Sequence, residues 1–172
     1  MGASPLRARN AFTFGGSMIS RREWLRITAG GMAFGVAGAS RLLALAPAKE
    51  ATVYKSATCG CCKKWVEHLQ AAGYKVTAHD VPDINVYKKK YGVPDALGSC
   101  HTAVVSSGYV VEGHVPADLI DRLVAQRPKD IVGLAVPGMP QGSPGMETGA
   151  VDKYEIIAFD KAGKTRVYAR RG

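Results

Sequence analysis

The stretch Thr58-Cys59-Gly60-Cys61-Cys62-Lys63-Lys64-Trp65 limits what this chain can become more than any other. A strand-like run, Thr52-Val53-Tyr54-Lys55-Ser56, leads into it, and a helical pattern from Cys62 to Ala72 leads out. Three of the four cysteines therefore sit on one strand-to-helix turn. Such a turn presents unpaired N–H groups and the positive end of the helix dipole. Thiols placed there ionise readily, which makes them nucleophiles and soft-metal ligands. Lys63 and Lys64 act in the same direction, and Gly60 permits a turn tight enough for Cys59 and Cys62 to face one point.

From Ala51 onward the apolar pattern switches between a period of two and a period near 3.6. Strands are expected at Thr52–Ser56, Tyr74–Val81, Thr102–Ser106 and Tyr109–Gly113. Helices are expected at Cys62–Ala72, with Trp65, Val66 and Leu69 inward and Gly73 as its stop, at Asp83–Tyr91, capped by Asp83, and at Pro116–Gln126. The last carries Leu119, Ile120, Leu123 and Val124 inward. The order β-α-β-α-β-β-α makes this an α/β domain. Gly133 to Met146 is so rich in Gly and Pro that no regular element is expected, only an ordered loop packed on the domain. Lys153–Phe159 and Lys164–Arg170 read as a C-terminal β-hairpin that extends the sheet edge. The divisions expected are a leader at 1–48, a core at 49–132, the loop at 133–150 and the hairpin at 151–172.

With 172 residues, 47% of them hydrophobic, the chain suffices for one ordinary domain. Its net charge of +9 is unevenly placed: residues 1–48 hold six Arg against the single acid Glu23. The rest has 17 basic and 13 acidic residues, a net of only +4. Lys88-Lys89-Lys90 is the one basic run, with no aromatic ladder beside it, and reads as a solvated helix face rather than a nucleic-acid contact. Ser20-Arg21-Arg22-Glu23-Trp24-Leu25 matches the twin-arginine export pattern. The Gly/Ala-rich apolar stretch behind it is too short and too interrupted by Arg41 for a convincing membrane span. Cleavage is expected at Ala46-Pro47-Ala48, before Lys49, with Ala44-Leu45-Ala46 as competitor and an uncleaved anchor as the alternative. The location implied is the periplasm.

Four cysteines in an exported protein first suggest two disulfides. Adjacent Cys61 and Cys62 fit that framework badly, because three thiols in four residues cannot all reach good bridging geometry. A Cys59–Cys62 bridge alone is reasonable and points to a thiol-disulfide oxidoreductase, with Cys59 attacking and Cys62 resolving. It leaves Cys61 and Cys100 unexplained. A metal explains them. Cys100, just before the third strand, enters beside the cysteine turn, so four sulfurs converge. Soft sulfur selects Cu(I), one ion or more through bridging thiolates, and also suits zinc as the alternative. Met139 and Met146 in the Gly/Pro loop, and the exported location, favour copper.

Of the histidines, His68 and His79 read as surface or satisfied core residues. In a strand, His101 would point away from Cys100. His114, at the mouth of the third helix, is the better peripheral ligand, although it can equally bond a backbone carbonyl.

Taken together, Cys59-Gly60-Cys61-Cys62 with Trp65, Tyr91-Gly92-Val93-Pro94, Ser99-Cys100-His101-Thr102-Ala103, Glu112-Gly113-His114-Val115-Pro116-Ala117 and the Gly133-to-Glu147 loop resemble the DUF411 (CopG-like) family. The resemblance spans about Ala51 to Thr148. It implies a thioredoxin-like fold and copper binding at Cys59, Cys61, Cys62 and Cys100, with His114, Met139 and Met146 as further ligands. The partners implied are metal ions and another periplasmic copper protein. Thioredoxin-like oxidoreductases carry a cis-proline before the third strand; Cys100-His101-Thr102 stands there instead, which weighs against the oxidoreductase reading.

Overall fold

The computed structural model describes residues 48–172. The expected leader, apart from its last residue Ala48, lies outside the described residues. The remainder forms one seven-stranded mixed sheet in the order β2-β1-β3-β4-β5-β6-β7. Its elements are β1 (Glu50–Lys55), α1 (Gly60–Ala71), β2 (Lys75–Asp80), α2 (Asn85–Lys90), a 3₁₀ turn (Asp95–Leu97), β3 (His101–Val105), β4 (Val110–Glu112), α3 (Ala117–Gln126), β5 (Gly133–Ala135), β6 (Tyr154–Phe159) and β7 (Thr165–Arg171). The mixed α/β class and the order of the first seven regular elements are as the sequence leads one to expect.

Two strand-helix-strand units set the frame. β1 and β2 run parallel, joined through α1, and β4 and β5 run parallel, joined through α3. A parallel pair needs such a crossover. Between them β3 pairs antiparallel with both β1 and β4. β5 is the departure from expectation: part of the Gly/Pro stretch is a strand. Gly133, Leu134 and Ala135 are all buried, and Gly133 has room for no side chain, since a Cβ would stand 2.4 Å from the carbonyl oxygen of Val110. Glycine there is a close-approach residue rather than a breaker. Through β5 the C-terminal hairpin joins the sheet: β5 pairs antiparallel with β6, and β6 with β7.

One face of the sheet carries the main core. Ala51 and Val53 of β1, Ala103 and Val105 of β3, Val111 of β4 and Leu134 of β5 pack against Trp65 and Leu69 of α1 and Leu119, Ile120 and Leu123 of α3. Two hydrogen bonds tie each helix to the segment flanking the other. The Trp65 indole N–H of α1 donates to the Val115 carbonyl just before α3 at 2.9 Å, and the Tyr74 hydroxyl, just after α1, donates to Asp121 of α3 at 2.8 Å. No side chain caps the N-terminus of α1. A missing cap costs about 1 kcal/mol, whereas burying Trp65 and Leu69 contributes about 2–3 kcal/mol each. Packing therefore holds α1, and its first turn stays available for chemistry. The opposite face carries a smaller cluster of Val93, Leu97, Val110, Ala135 and Phe159.

The basic run on α2 is not uniformly solvated, as its charge alone suggests. Lys89 and Lys90 are exposed, but the Lys88 side chain is only 13% exposed and pairs with the fully buried Glu112 of β4. A buried carboxylate needs a partner, and a run of lysines does not say which of them supplies it.

Candidate metal centre

Cys59 is the N-cap residue of α1, with Cys61 and Cys62 in the first turn, because the helix begins at Gly60, two residues before the expected start. Cys59 and Cys62 are joined in a disulfide, their Cα atoms 5.4 Å apart. Cys61 and Cys100 are free thiols. The Cys61 sulfur stands 3.4 Å from that of Cys59, 3.9 Å from that of Cys100 and 3.9 Å from the Met139 thioether. Buried Cys62 places its sulfur 3.6 Å from the Cys100 carbonyl oxygen. Sheet register produces this convergence. Lys55 at the end of β1 pairs with His101 at the start of β3, so the residue before His101 meets the chain where β1 turns into α1.

Two imidazoles close the other side. His114 Nε2 lies 3.0 Å from the Cys100 sulfur, and its Nδ1 lies 2.8 Å from the carbonyl oxygen of Pro144. A carbonyl only accepts, so Nδ1 carries the proton and the Nε2 lone pair faces the thiol. Metal-ligating histidines are oriented in this way, by a hydrogen bond at the second ring nitrogen. Burial lowers the His114 pKa, which favours the neutral ligand form.

His101 is a correction to the sequence reading. It does not point away from Cys100: its Nδ1 is 3.3 Å from the Cys100 sulfur. Cys100 precedes the strand, and alternation between faces begins only at His101. The ring is fully buried, lies tilted against Trp65 with centroids 4.3 Å apart, and has no partner for Nε2 among the described residues. Burial first, then the repulsion a protonated His114 beside it would exert, holds its pKa well below the ordinary value.

The donor atoms form two overlapping groups, Cys59, Cys61, Cys62 and Cys100, and Cys100, His101 and His114, each with its atoms within 4.8 Å of one another. Cys100 belongs to both. Burial, and next the neighbouring Cys61, push the Cys100 pKa up to about 12, so a metal binding there must displace a proton. The disulfide bears on the four-thiolate set directly. Cys59 and Cys62 become thiolate donors only after a two-electron reduction.

The Gly/Pro loop packs on this centre. Gly145, at φ +89°, lies against the first turn of α1, where a Cβ would stand 2.7 Å from the Cys61 carbonyl oxygen. Met139 is 52% exposed and presents its sulfur to Cys61 from the solvent side. Met146 braces the loop itself through its backbone: its N–H donates to the Ser143 carbonyl and its carbonyl accepts from Gly142 N–H, both at 2.8 Å. His68 and His79 stay outside the cluster. His68 Nε2 accepts the Ala117 N–H at 3.1 Å, and His79 stacks on Tyr54 with centroids 5.5 Å apart. Glu112 and Lys88, behind Cys100, went unnoticed in the sequence because nothing local links residues 88, 99 and 112.

The family model of DUF411, a protein family of unknown function, matches residues 97–146. A solved structure described as copper resistance protein CopG, form 2, is 47% identical, with a TM-score of 0.67, over 72% of this chain and 98% of that one. The chain belongs to the DUF411 (CopG-like) family. Form 1 of the same CopG is similar to the same degree, at 47% identity and a TM-score of 0.67, over 71% of this chain and 96% of that one. No curated protein matches. The DUF411 match falls on the segment that carries Cys100, His101, His114, Met139 and Met146, while the cysteine turn of α1 lies before it. Among the described residues, no helix is long and apolar enough to cross a membrane.

Proposed function

We propose that this protein binds Cu(I) in the periplasm and serves copper resistance or copper transfer. The observation that carries the reading is the Cys100 sulfur, within 3.9 Å of the Cys61 sulfur and 3.0 Å of His114 Nε2. Thiols and an imidazole from separate parts of the chain meet there, with the Met139 thioether beside Cys61 at 3.9 Å, and this soft donor set suits Cu(I) over hard cations. In the reduced protein Cys59, Cys61, Cys62 and Cys100 supply thiolates, His114 supplies Nε2, and Met139 offers a thioether at the surface; Met146 is the remaining donor of the same loop. Four thiolates this close can bridge more than one ion. Zinc is the less suitable cargo, because the exposed thioether has no place in a tetrahedral thiolate site. The CopG relatives, named for copper resistance, support the same reading. Export by the twin-arginine route, and exchange with another periplasmic copper protein, belong to it.

The test is metal analysis of protein reduced and loaded anaerobically, with X-ray absorption at the copper edge. The expected result is retained copper with predominantly sulfur ligation. Four free thiols and no copper would defeat the proposal.

A second reading, thiol-disulfide oxidoreductase, rests on the Cys59–Cys62 disulfide at the helix start. Against it, no peptide bond among the described residues is cis, so the usual substrate-binding proline geometry is missing beside the pair. Insulin reduction that persists in Cys100→Ala would favour it.

A further inference from the structure

Glu112 is fully buried and is no candidate ligand, because its oxygens are already engaged. Oε1 accepts the Ser99 backbone N–H at 2.6 Å and pairs with Lys88 Nζ. Oε2 accepts the Thr102 hydroxyl at 2.7 Å. Lys88 also reaches Thr102 Oγ1, at 3.4 Å. One carboxylate thus joins α2, β3, β4 and the bend that contains Cys100.

That bend lies outside the ladder. β3 begins at His101, so Ser99 and Cys100 have no strand partner to hold them, and a backbone N–H there needs another acceptor. Glu112 is that acceptor, and a charged acceptor makes a hydrogen bond roughly twice as strong as a neutral one. Ser99 extends the link outward, since its hydroxyl donates to the Gly138 carbonyl at 2.5 Å, the residue before Met139. The residue pinned by Glu112 therefore sits between Cys100, the sulfur common to both donor groups, and the loop that brings the thioether.

We infer that Glu112 is a positioning residue of the metal centre: by taking the Ser99 N–H it fixes the bend that aims the Cys100 sulfur at Cys61 and His114. Lys88 and Thr102 orient and neutralise the carboxylate so that it can stay buried. A metal site tolerates displacements of only about 0.5 Å in its donors, and a bend held at one end by a strand cannot guarantee that. The inference rests on the copper reading and adds to it a residue that never touches the metal.

The test uses full-length protein after anaerobic reduction. It compares the parent with Glu112→Leu/Lys88→Met and Glu112→Gln/Lys88→Met. Three quantities are read: Cu(I) affinity by competition with a chromogenic chelator, the thiolate-to-Cu(I) charge-transfer spectrum, and thermal melting. Both double variants are expected to fold, since a buried ion pair replaced as a pair by uncharged groups is commonly tolerated. The Leu variant, with no acceptor for Ser99, is expected to lose affinity by about 10- to 100-fold with an altered spectrum. The Gln variant, whose side-chain oxygen still accepts that N–H, is expected to stay within about threefold of the parent and keep its spectrum. Parent-like affinity and spectrum in the Leu variant would overturn the assignment, and so would equal losses in both variants. Should the Leu variant not fold, Thr102→Val removes one orienting donor without unpairing the charge. A loss of about three- to tenfold then supports the inference and parent affinity overturns it. A parent that takes up no Cu(I) at all marks failure of the copper reading itself.

Discussion

Gly145 has no side chain because α1 leaves no room for one. At φ +89° it also adopts a backbone conformation that L residues rarely take, with the Cys61 carbonyl and the Trp65 N–H pressed against it. Gly145→Ala is expected to cost about 1–3 kcal/mol, seen as a fall in melting temperature. Because the displaced carbonyl is that of Cys61, Cu(I) affinity should fall as well. Gly138 is the control: its φ is +69° but nothing lies within 4 Å of a Cβ, so Gly138→Ala should cost about 1 kcal/mol. His114 invites a separate test at this scale. Its Nε2 faces Cys100 while its Nδ1–H is committed to Pro144. His114→Ala in reduced protein should weaken Cu(I) binding by at least about tenfold, measured by chelator competition. Unchanged affinity would remove His114 from the ligand set.

Between elements, the contact of α1 with α3 runs through a histidine. The first N–H of α3, that of Ala117, bonds to His68 Nε2 of α1, which requires a neutral ring. Burial lowers the His68 pKa, with Glu147 and Asp118 pulling weakly the other way. The folded pKa thus lies below the ordinary value of 6.5, and the unfolded chain binds the extra proton more readily. This contribution to stability is complete above about pH 6.5 and is lost as the pH falls from there through the folded pKa. Melting temperature should decline on acidification through that window. In His68→Gln, whose side chain does not titrate, that part of the decline should vanish. An identical pH profile in the variant would show that some other group sets it.

On the scale of the whole molecule, the sheet makes the C-terminal hairpin part of the core. Ile156, Ala158 and Phe159 are buried and contribute to clusters on both faces of the sheet. Ile156→Ala should cost about 2–5 kcal/mol. Removing residues 151–172 should expose the β5 edge and abolish cooperative melting, although the cysteine cluster lies at the other side of the sheet order. A truncated chain that still melts cooperatively near the parent temperature would show the hairpin to be an ornament.

Much of this was legible in the residues themselves. The periodicities around Thr52-Val53-Tyr54 and Leu119-Ile120-Leu123, the Gly73 stop and the cysteine turn are local signals, and local backbone preference makes them readable one segment at a time. β5 was not: Gly133-Leu134-Ala135 has no strand propensity of its own and is a strand because β4 and β6 lie on either side. His101 was missed because its orientation depends on where β3 begins, which pairing with β1 decides. Lys88 and Glu112 were missed because a buried ion pair joins residues whose chain separation of 24 carries no pattern. By itself the sequence determined which donor types the protein possesses and that three of them stand at a helix start. Only the tertiary structure decided which donors share a centre and what steadies them, because distances between remote residues are set by sheet register and packing and not by the order of the chain.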